Sequence, residues 1–436
     1  MEKFYIETYG CQMNEADSEY MASLLMTIGY ERVEEMEDAN LILVNTCSIR
    51  DKAEKKVLSF LGRAYPIKKK NDCIIAVCGC VAKQEGENLI KKAPYVDIIF
   101  GPHHINNLNF FIQRAKNKEK VIEISDKNSI ERNKDLLKIE GVRAMIPIMQ
   151  GCNNFCSFCI VPYVRGREVS REINDIIGEI ERLANLGIKE VILLGQNVNS
   201  YGKDLGIQDG FVKLIEEVAK IEKIERIRFT TSHPKDITEK LILAFGIVEK
   251  LMPHIHLPVQ SGSNRILKLM NRKYDRETYL SIIKKLREVR PDIAITTDII
   301  VGFPTETEKD FQDTLSLVEE VRYDSAFSFK YSKRPYTKAS MMENQVPEEI
   351  KQRRLEMLQS LLKEIIYEKN RYMEGKVIPV LVESRSKKEK TELMGRTPCF
   401  RIVNFSAHKD VKIGKTVNVK ITRGFKNSLK GELVDG

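Results

Sequence analysis

The chain has 436 residues, 42% of them hydrophobic, with 71 Lys and Arg against 62 Asp and Glu for a formal charge of +9. That much apolar material excludes wholesale disorder, and the lack of an 18-residue apolar run excludes an ordinary membrane-spanning helix. At about 150 residues per domain the length suggests roughly three domains.

Met1-Glu2-Lys3-Phe4 leads straight into a strand and lacks the apolar stretch of a secretory signal, so a cytoplasmic location is expected. The β-rich runs Phe4–Thr8, Leu41–Asn45, Cys73–Val77 and Val96–Phe100 are predicted as buried parallel strands. Helical spacing over Ala16–Arg32 and Asp51–Lys70 connects them, which predicts a doubly wound α/β domain over 1–118. Residues 119–141 are polar and aperiodic and read as a linker with one short strand, Val121–Ile124. From 142 to 372 the β/α rhythm resumes, with strands at Met145–Met149, Glu190–Leu194, Arg226–Thr230, His254–Pro258, Ile293–Ile300 and Ser325–Lys330. Amphipathic helices are predicted at Ile173–Leu186, Glu239–Glu249, Arg276–Val289 and Glu308–Val321. Six units fall short of the eight of a closed barrel, so a partial barrel open on one side is expected. Pro347 starts a long helix to about Met373. Residues 373–436 read as short strands with Gly-containing turns, a small all-β barrel.

The charge is concentrated at the end. Residues 374–436 hold 14 Lys and Arg against 7 Asp and Glu, whereas the rest of the chain is nearly neutral. A basic module on a neutral body fits a polyanionic partner. Nine cysteines, an odd number, argue against a disulfide framework. Cys152, Cys156 and Cys159 form C-x-x-x-C-x-x-C after a strand. Zinc normally takes four ligands, and no fourth Cys or His lies nearby. A cubane held by three thiolates leaves one iron open. Phe158 offers that iron an aromatic face, or else simply packs the loop. Cys11, Cys47 and Cys80 each follow a strand of the first domain, and the C-terminal ends of parallel strands share one edge. Cys73 lies at the opposite end of its strand, and Cys78 is an alternative to Cys80.

These residues resemble a known family. The cysteine motif at the first strand of a six-unit barrel resembles the radical S-adenosylmethionine superfamily. The upstream α/β domain with its strand-end cysteines, and a basic C-terminal barrel similar to the TRAM module, narrow this to the methylthiotransferases. Gly151–Arg171 (GCNNFCSFCIVPYVRGREVSR), Gly195–Tyr201 (GQNVNSY), Thr230–Pro234 (TTSHP), His256–Gly262 (HLPVQSG) and Met270–Tyr274 (MNRKY) resemble the MiaB-type tRNA branch. Two departures are visible: Thr305 and Tyr336 stand where glycine is usual.

The resemblance implies two [4Fe-4S] clusters. Cys152, Cys156 and Cys159 would hold the radical-generating one, whose open iron binds S-adenosylmethionine. Cys11, Cys47 and Cys80 would hold an auxiliary cluster that carries or delivers sulfur. The implied reaction inserts sulfur at carbon 2 of an isopentenylated adenosine beside the tRNA anticodon, and a second S-adenosylmethionine methylates it. An electron donor such as flavodoxin or ferredoxin, a sulfur or cluster-assembly donor, no membrane and a monomeric state complete the expectation. Gln196, Ser232, Gln260 and Asp298 lie at strand ends and are assigned to the cofactor or substrate pocket, structural hydrogen bonding being the alternative. His233 and His256 read as core histidines. Arg165, Arg167 and Arg171 could meet phosphates or carboxylates, or be ion-paired. In the tail, Lys412, Lys415, Lys420, Arg423, Lys426 and Lys430 with Phe400, Phe405 and Phe425 suit phosphate contact and base stacking.

Overall fold

A computed structural model describes residues 1–48, 53–126, 130, 132–133, 141–386, 391–406 and 411–434. The N-terminal strands are β1 (Lys3–Tyr9), β2 (Glu31–Arg32), β3 (Leu41–Thr46), β4 (Ile74–Gly79), β5 (Ile98–Phe100) and β6 (Val121–Glu123). They form one parallel sheet in the order β2-β1-β3-β4-β5-β6. Every residue of β3 is buried, as expected of a central strand covered by helices on both faces. The short strand expected within the linker is therefore the sixth strand of this sheet.

The first helix runs over Gln12–Thr27, not Ala16–Arg32. Cys11 caps it, with the Asn14 side chain bonding back to the cap. The helix stops at Ile28, Gly29 follows with φ +92°, and Glu31–Arg32 are released to pair with β1 as the sheet edge.

The central domain contains β7 (Arg143–Pro147), β8 (Met149–Gln150), β9 (Val169–Ser170), β10 (Glu190–Leu194), β11 (Arg226–Phe229), β12 (His254–His256), β13 (Ala294–Val301) and β14 (Ser325–Lys330). Two parallel half-sheets, β7-β10-β11 and β12-β13-β14, meet where Ile227 bridges Leu251. Among the described residues no pairing joins β14 back to β7, so the barrel is partial, as the six units implied. β12 ends at His256 rather than Pro258, because proline has no N–H to give the ladder. The N-terminal helix Gln12–Thr27 packs on β7, and the apolar side chains of both domains form one continuous core.

The helix Glu348–Arg371 packs along β14 and leads to β15 (Val377–Arg385), β16 (Glu392–Arg396), β17 (Ile402–Ser406), β18 (Thr416–Gly424) and β19 (Leu429–Leu433). These close into a barrel in the order β15-β16-β17-β19-β18. Its turn at Thr397–Arg401 enters the N-terminal end of the central barrel. There Arg228 donates to the carbonyls of Pro398 (2.8 Å) and Thr397 (3.0 Å) while its Nε pairs with Glu190 at 2.9 Å. The Phe400 ring lies 4.6 Å from the Arg228 guanidinium and 5.3 Å from the His254 ring. The C-terminal domain thus stops one end of the central barrel, and the end carrying the cysteine loop remains the mouth.

Candidate functional site

The loop Gly151–Cys159 follows β8 at that mouth, and backbone bonds from several elements fix it. Gly151 N–H donates to Gln196 Oε1 at 2.6 Å, Cys152 N–H to the Gly166 carbonyl at 3.1 Å, and Ser157 N–H to the Met270 carbonyl at 3.0 Å. Arg272, fully buried, donates to Cys156 Sγ at 3.3 Å and to the Pro258 carbonyl at 2.8 Å. Burial pushes the Cys152 thiol up to about 12 and raises Cys159 as well. Gly151 sits at φ +78°, where a Cβ would come 1.9 Å from the Arg167 carbonyl oxygen. Gly151→Ala should therefore force the Gly166–Arg167 crossing away from the loop and lower iron loading there by about half or more. Iron content after anaerobic reconstitution measures this, and parental content would show the crossing to be dispensable.

The second cysteine set lies on the N-terminal sheet. Cys11 follows β1, Cys47 follows β3 and Cys80 follows β4, three neighbouring strands whose C-terminal ends share an edge. Cys47 is within hydrogen-bonding reach of both other thiols. These contacts, aided by the Arg165 charge, lower Cys11 and Cys80, while Cys47 is raised. Arg165 comes from the central domain, just after the cysteine loop. It donates from Nε to Cys80 Sγ at 3.3 Å and from Nη2 to Asp17 Oδ2 at 3.0 Å. Asp17 also pairs with Arg132. Cys78 points away, toward Met21 Sδ (3.7 Å) and the Val44 carbonyl (3.6 Å). Cys73 lies at the far end of the sheet, and the thiol of Cys399 donates to the Asp292 carbonyl.

Both sets accommodate an iron–sulfur cluster in their chemistry. Each gathers soft ligands and aims one buried guanidinium at a cysteine sulfur, which favours the anionic, cluster-bound form. Among the described residues no three His, Cys, Asp or Glu side chains are arranged to hold one metal ion.

The expected pocket residues distribute unevenly. Gln196 is committed to the cysteine loop. Ser232 is buried, and its Oγ has no partner among the described residues. Gln260 uses its backbone to pair with β13, at φ +72°. Asp298 Oδ2 lies 3.5 Å from His256 Nε2 and is partly exposed. Phe158 packs beside Ile266, Met270, Phe303 and Tyr331, the loop-packing alternative. His233, held neutral by burial, leaves Nε2 without a partner, as does Asn197 with Oδ1. Three buried unpartnered polar atoms at the ends of β10 and β11 are what a polar cofactor would satisfy. Asn197, Arg272 and Asp17 were not singled out from sequence, although Asn197 and Arg272 lie inside the quoted motifs. Arg171 is ion-paired with Glu179 at 2.7 Å, and Arg167 lies 4.3 Å from the Phe155 ring centroid.

The six tail cations, Lys412 to Lys430, are all exposed. The aromatics divide differently from the expectation. Phe405 is fully buried inside the small barrel, because its position in β17 faces inward, and Phe400 plugs the central barrel. Only Phe425 is exposed, with Arg423 5.1 Å from its ring.

Comparisons with known proteins cover nearly the whole chain. Residues 3–101 match the uncharacterized protein family UPF0004, 146–318 the radical SAM superfamily, and 371–434 the TRAM domain. The chain is 52% identical to the tRNA-2-methylthio-N(6)-dimethylallyladenosine synthase of Clostridium tetani (strain Massachusetts / E88), covering 99% of this chain and 96% of that protein. It is 50% identical to the protein of the same name from Clostridium perfringens (strain SM101), covering 99% and 98%. In fold it is similar to the radical S-adenosylmethionine methyltransferase TsrM from Kitasatospora setae, with a TM-score of 0.58 at 12% identity over 78% of this chain and 75% of that one.

Proposed function

The chain belongs to the tRNA-2-methylthio-N(6)-dimethylallyladenosine synthase family of radical SAM enzymes, and from that premise we propose how its own residues carry the reaction. It is a methylthiotransferase that adds a methylthio group to isopentenylated adenosine in tRNA, using S-adenosylmethionine and a [4Fe-4S] cluster. Cys152, Cys156 and Cys159 would hold that cluster, and Cys11, Cys47 and Cys80 would hold a second one, whose contribution there would be the supply of sulfur. When bound, a cluster with an open iron supplies, with S-adenosylmethionine, radical hydrogen abstraction.

The protein's part is orientation. Arg272 clamps the Cys156 sulfur and ties it to the barrel wall at Pro258, so the loop keeps one geometry. Gln196 anchors the start of the same loop. Asn197, Ser232 and His233 present unpartnered polar atoms at the mouth for the amino-acid and ribose groups of the cofactor, and Asp298 with His256 borders the same space. Phe400 fills the opposite end of the barrel, between Arg228 and His254. Exposed cations of the C-terminal barrel hold the tRNA phosphates. A flavodoxin- or ferredoxin-type reductant and a cluster-assembly sulfur donor complete the cycle of a monomeric, cytoplasmic enzyme.

The observation that carries this reading is the pair of cysteine triads at strand C-termini, each with a buried arginine donating to a sulfur. Anaerobic reconstitution should give about eight irons per chain. A count of about four, with a single cluster signal in Mössbauer spectra, would remove the second cluster.

A further inference from the structure

Beside the cysteine loop an uninterrupted row of rings reaches the surface. Arg167 lies 4.3 Å from the Phe155 ring centroid, Phe155 meets Tyr163 edge-on at 6.3 Å, and Tyr163 meets Tyr336 at 6.1 Å. Tyr163 is 40% exposed and Tyr336 is 65% exposed. The loop carrying Tyr336 is tied to the cysteine loop, since Ala339 N–H donates to the Ser157 carbonyl at 2.8 Å. Phe155 itself immediately precedes Cys156. The row therefore runs from the proposed radical centre to solvent at the barrel mouth.

Tyr336 has φ +66°, a left-handed backbone that glycine adopts freely and L-residues do not. Packing does not explain it, because most of the ring is in solvent. Lys333 and Lys338, on the same loop as Tyr336, and Arg167, at the other end of the row, are exposed cations. A large, mostly exposed ring held in a strained conformation on a loop that carries exposed cations has the chemistry that recognises single-stranded RNA. Bases stack on the ring while phosphates meet the positive charges.

We propose that Tyr336, backed by Tyr163, is a stacking platform for an unpaired base of the anticodon loop next to the adenosine being modified. This rests on the tRNA reading above and assigns it a contact. The platform sets substrate position from outside the pocket, so it acts on RNA binding rather than on cofactor cleavage.

Tyr336→Gly and Tyr336→Phe in the full-length, reconstituted protein test it, with an isopentenylated anticodon stem-loop as the probe. Tyr336→Gly should raise both Kd and KM for the stem-loop about tenfold with kcat nearly unchanged, and Tyr336→Phe should behave as the parent. Because glycine suits this backbone, the melting temperature of Tyr336→Gly should not fall. Parental affinity in Tyr336→Gly overturns the platform and leaves the family reading intact. So does a loss of affinity that comes with a lowered melting temperature and lost iron, since the ring would then only brace the loop. A parent protein that holds the stem-loop no better than an unrelated hairpin overturns the tRNA reading, and the platform with it.

Discussion

Replacing Cys152, Cys156 and Cys159 together by alanine should abolish S-adenosylmethionine cleavage and leave about four of about eight irons in place. The two cysteine sets lie on different domains, and among the described residues no single residue contacts the sulfurs of both. The loop Gly151–Cys159 depends on Gln196, Gly166, Met270 and Arg272, all from the central domain. Cys11, Cys47 and Cys80 depend on the N-terminal sheet and on Arg165. The complementary variant, with those three cysteines changed to alanine, should keep cofactor cleavage but lose the methylthio product. Iron content, deoxyadenosine release and the tRNA nucleoside are read on both variants. Cofactor cleavage surviving in the first variant would sink the assignment of the radical centre, and methylthio product surviving in the second would sink that of the sulfur-bearing set.

Much of this was legible in the sequence, for reasons visible in particular elements. Glu190–Leu194 and Ser325–Lys330 are strands, and Arg276–Val289 and Glu308–Val321 helices, at the residues where periodicity placed them. Asp275 and Thr307 explain the sharp helix starts, since each side chain accepts from a backbone N–H of the first turn. The convergence of Cys11, Cys47 and Cys80 followed from strand direction alone. Contacts between distant segments were not legible. Arg165 meets a sulfur 85 positions away, and Arg272 one 116 positions away. Nothing local marks either arginine as more than a loop cation. Phe405 and Phe400 show the same limit. A period of two fixes which face of a strand is apolar, whereas the entry of a turn into a neighbouring domain depends on surfaces far away in sequence.

Asp17 carries the second large expected effect. Its carboxylate is almost wholly buried on the helix Gln12–Thr27 between two buried guanidiniums, Arg165 from the central domain and Arg132. Asp17→Asn keeps the volume and removes, among the described residues, the only acidic side chain within ion-pair distance of either arginine. Two buried cations would then face each other, and breaking a buried pair in this way costs about 3–5 kcal/mol. Urea unfolding should show a loss of that order. The damage should also reach the cysteines, because the same Arg165 donates to Cys80 Sγ. Iron bound by the N-terminal set should fall while that of the Gly151–Cys159 loop is retained. The double variant Asp17→Asn with Arg165→Met should recover part of the stability, since one of the uncompensated charges is gone. It should not recover the N-terminal iron, because methionine cannot donate to the sulfur. A loss below about 1 kcal/mol for Asp17→Asn, the level of an exposed pair, would mean that water compensates the two arginines. The ion-paired triad would then not be what joins the N-terminal domain to the central domain.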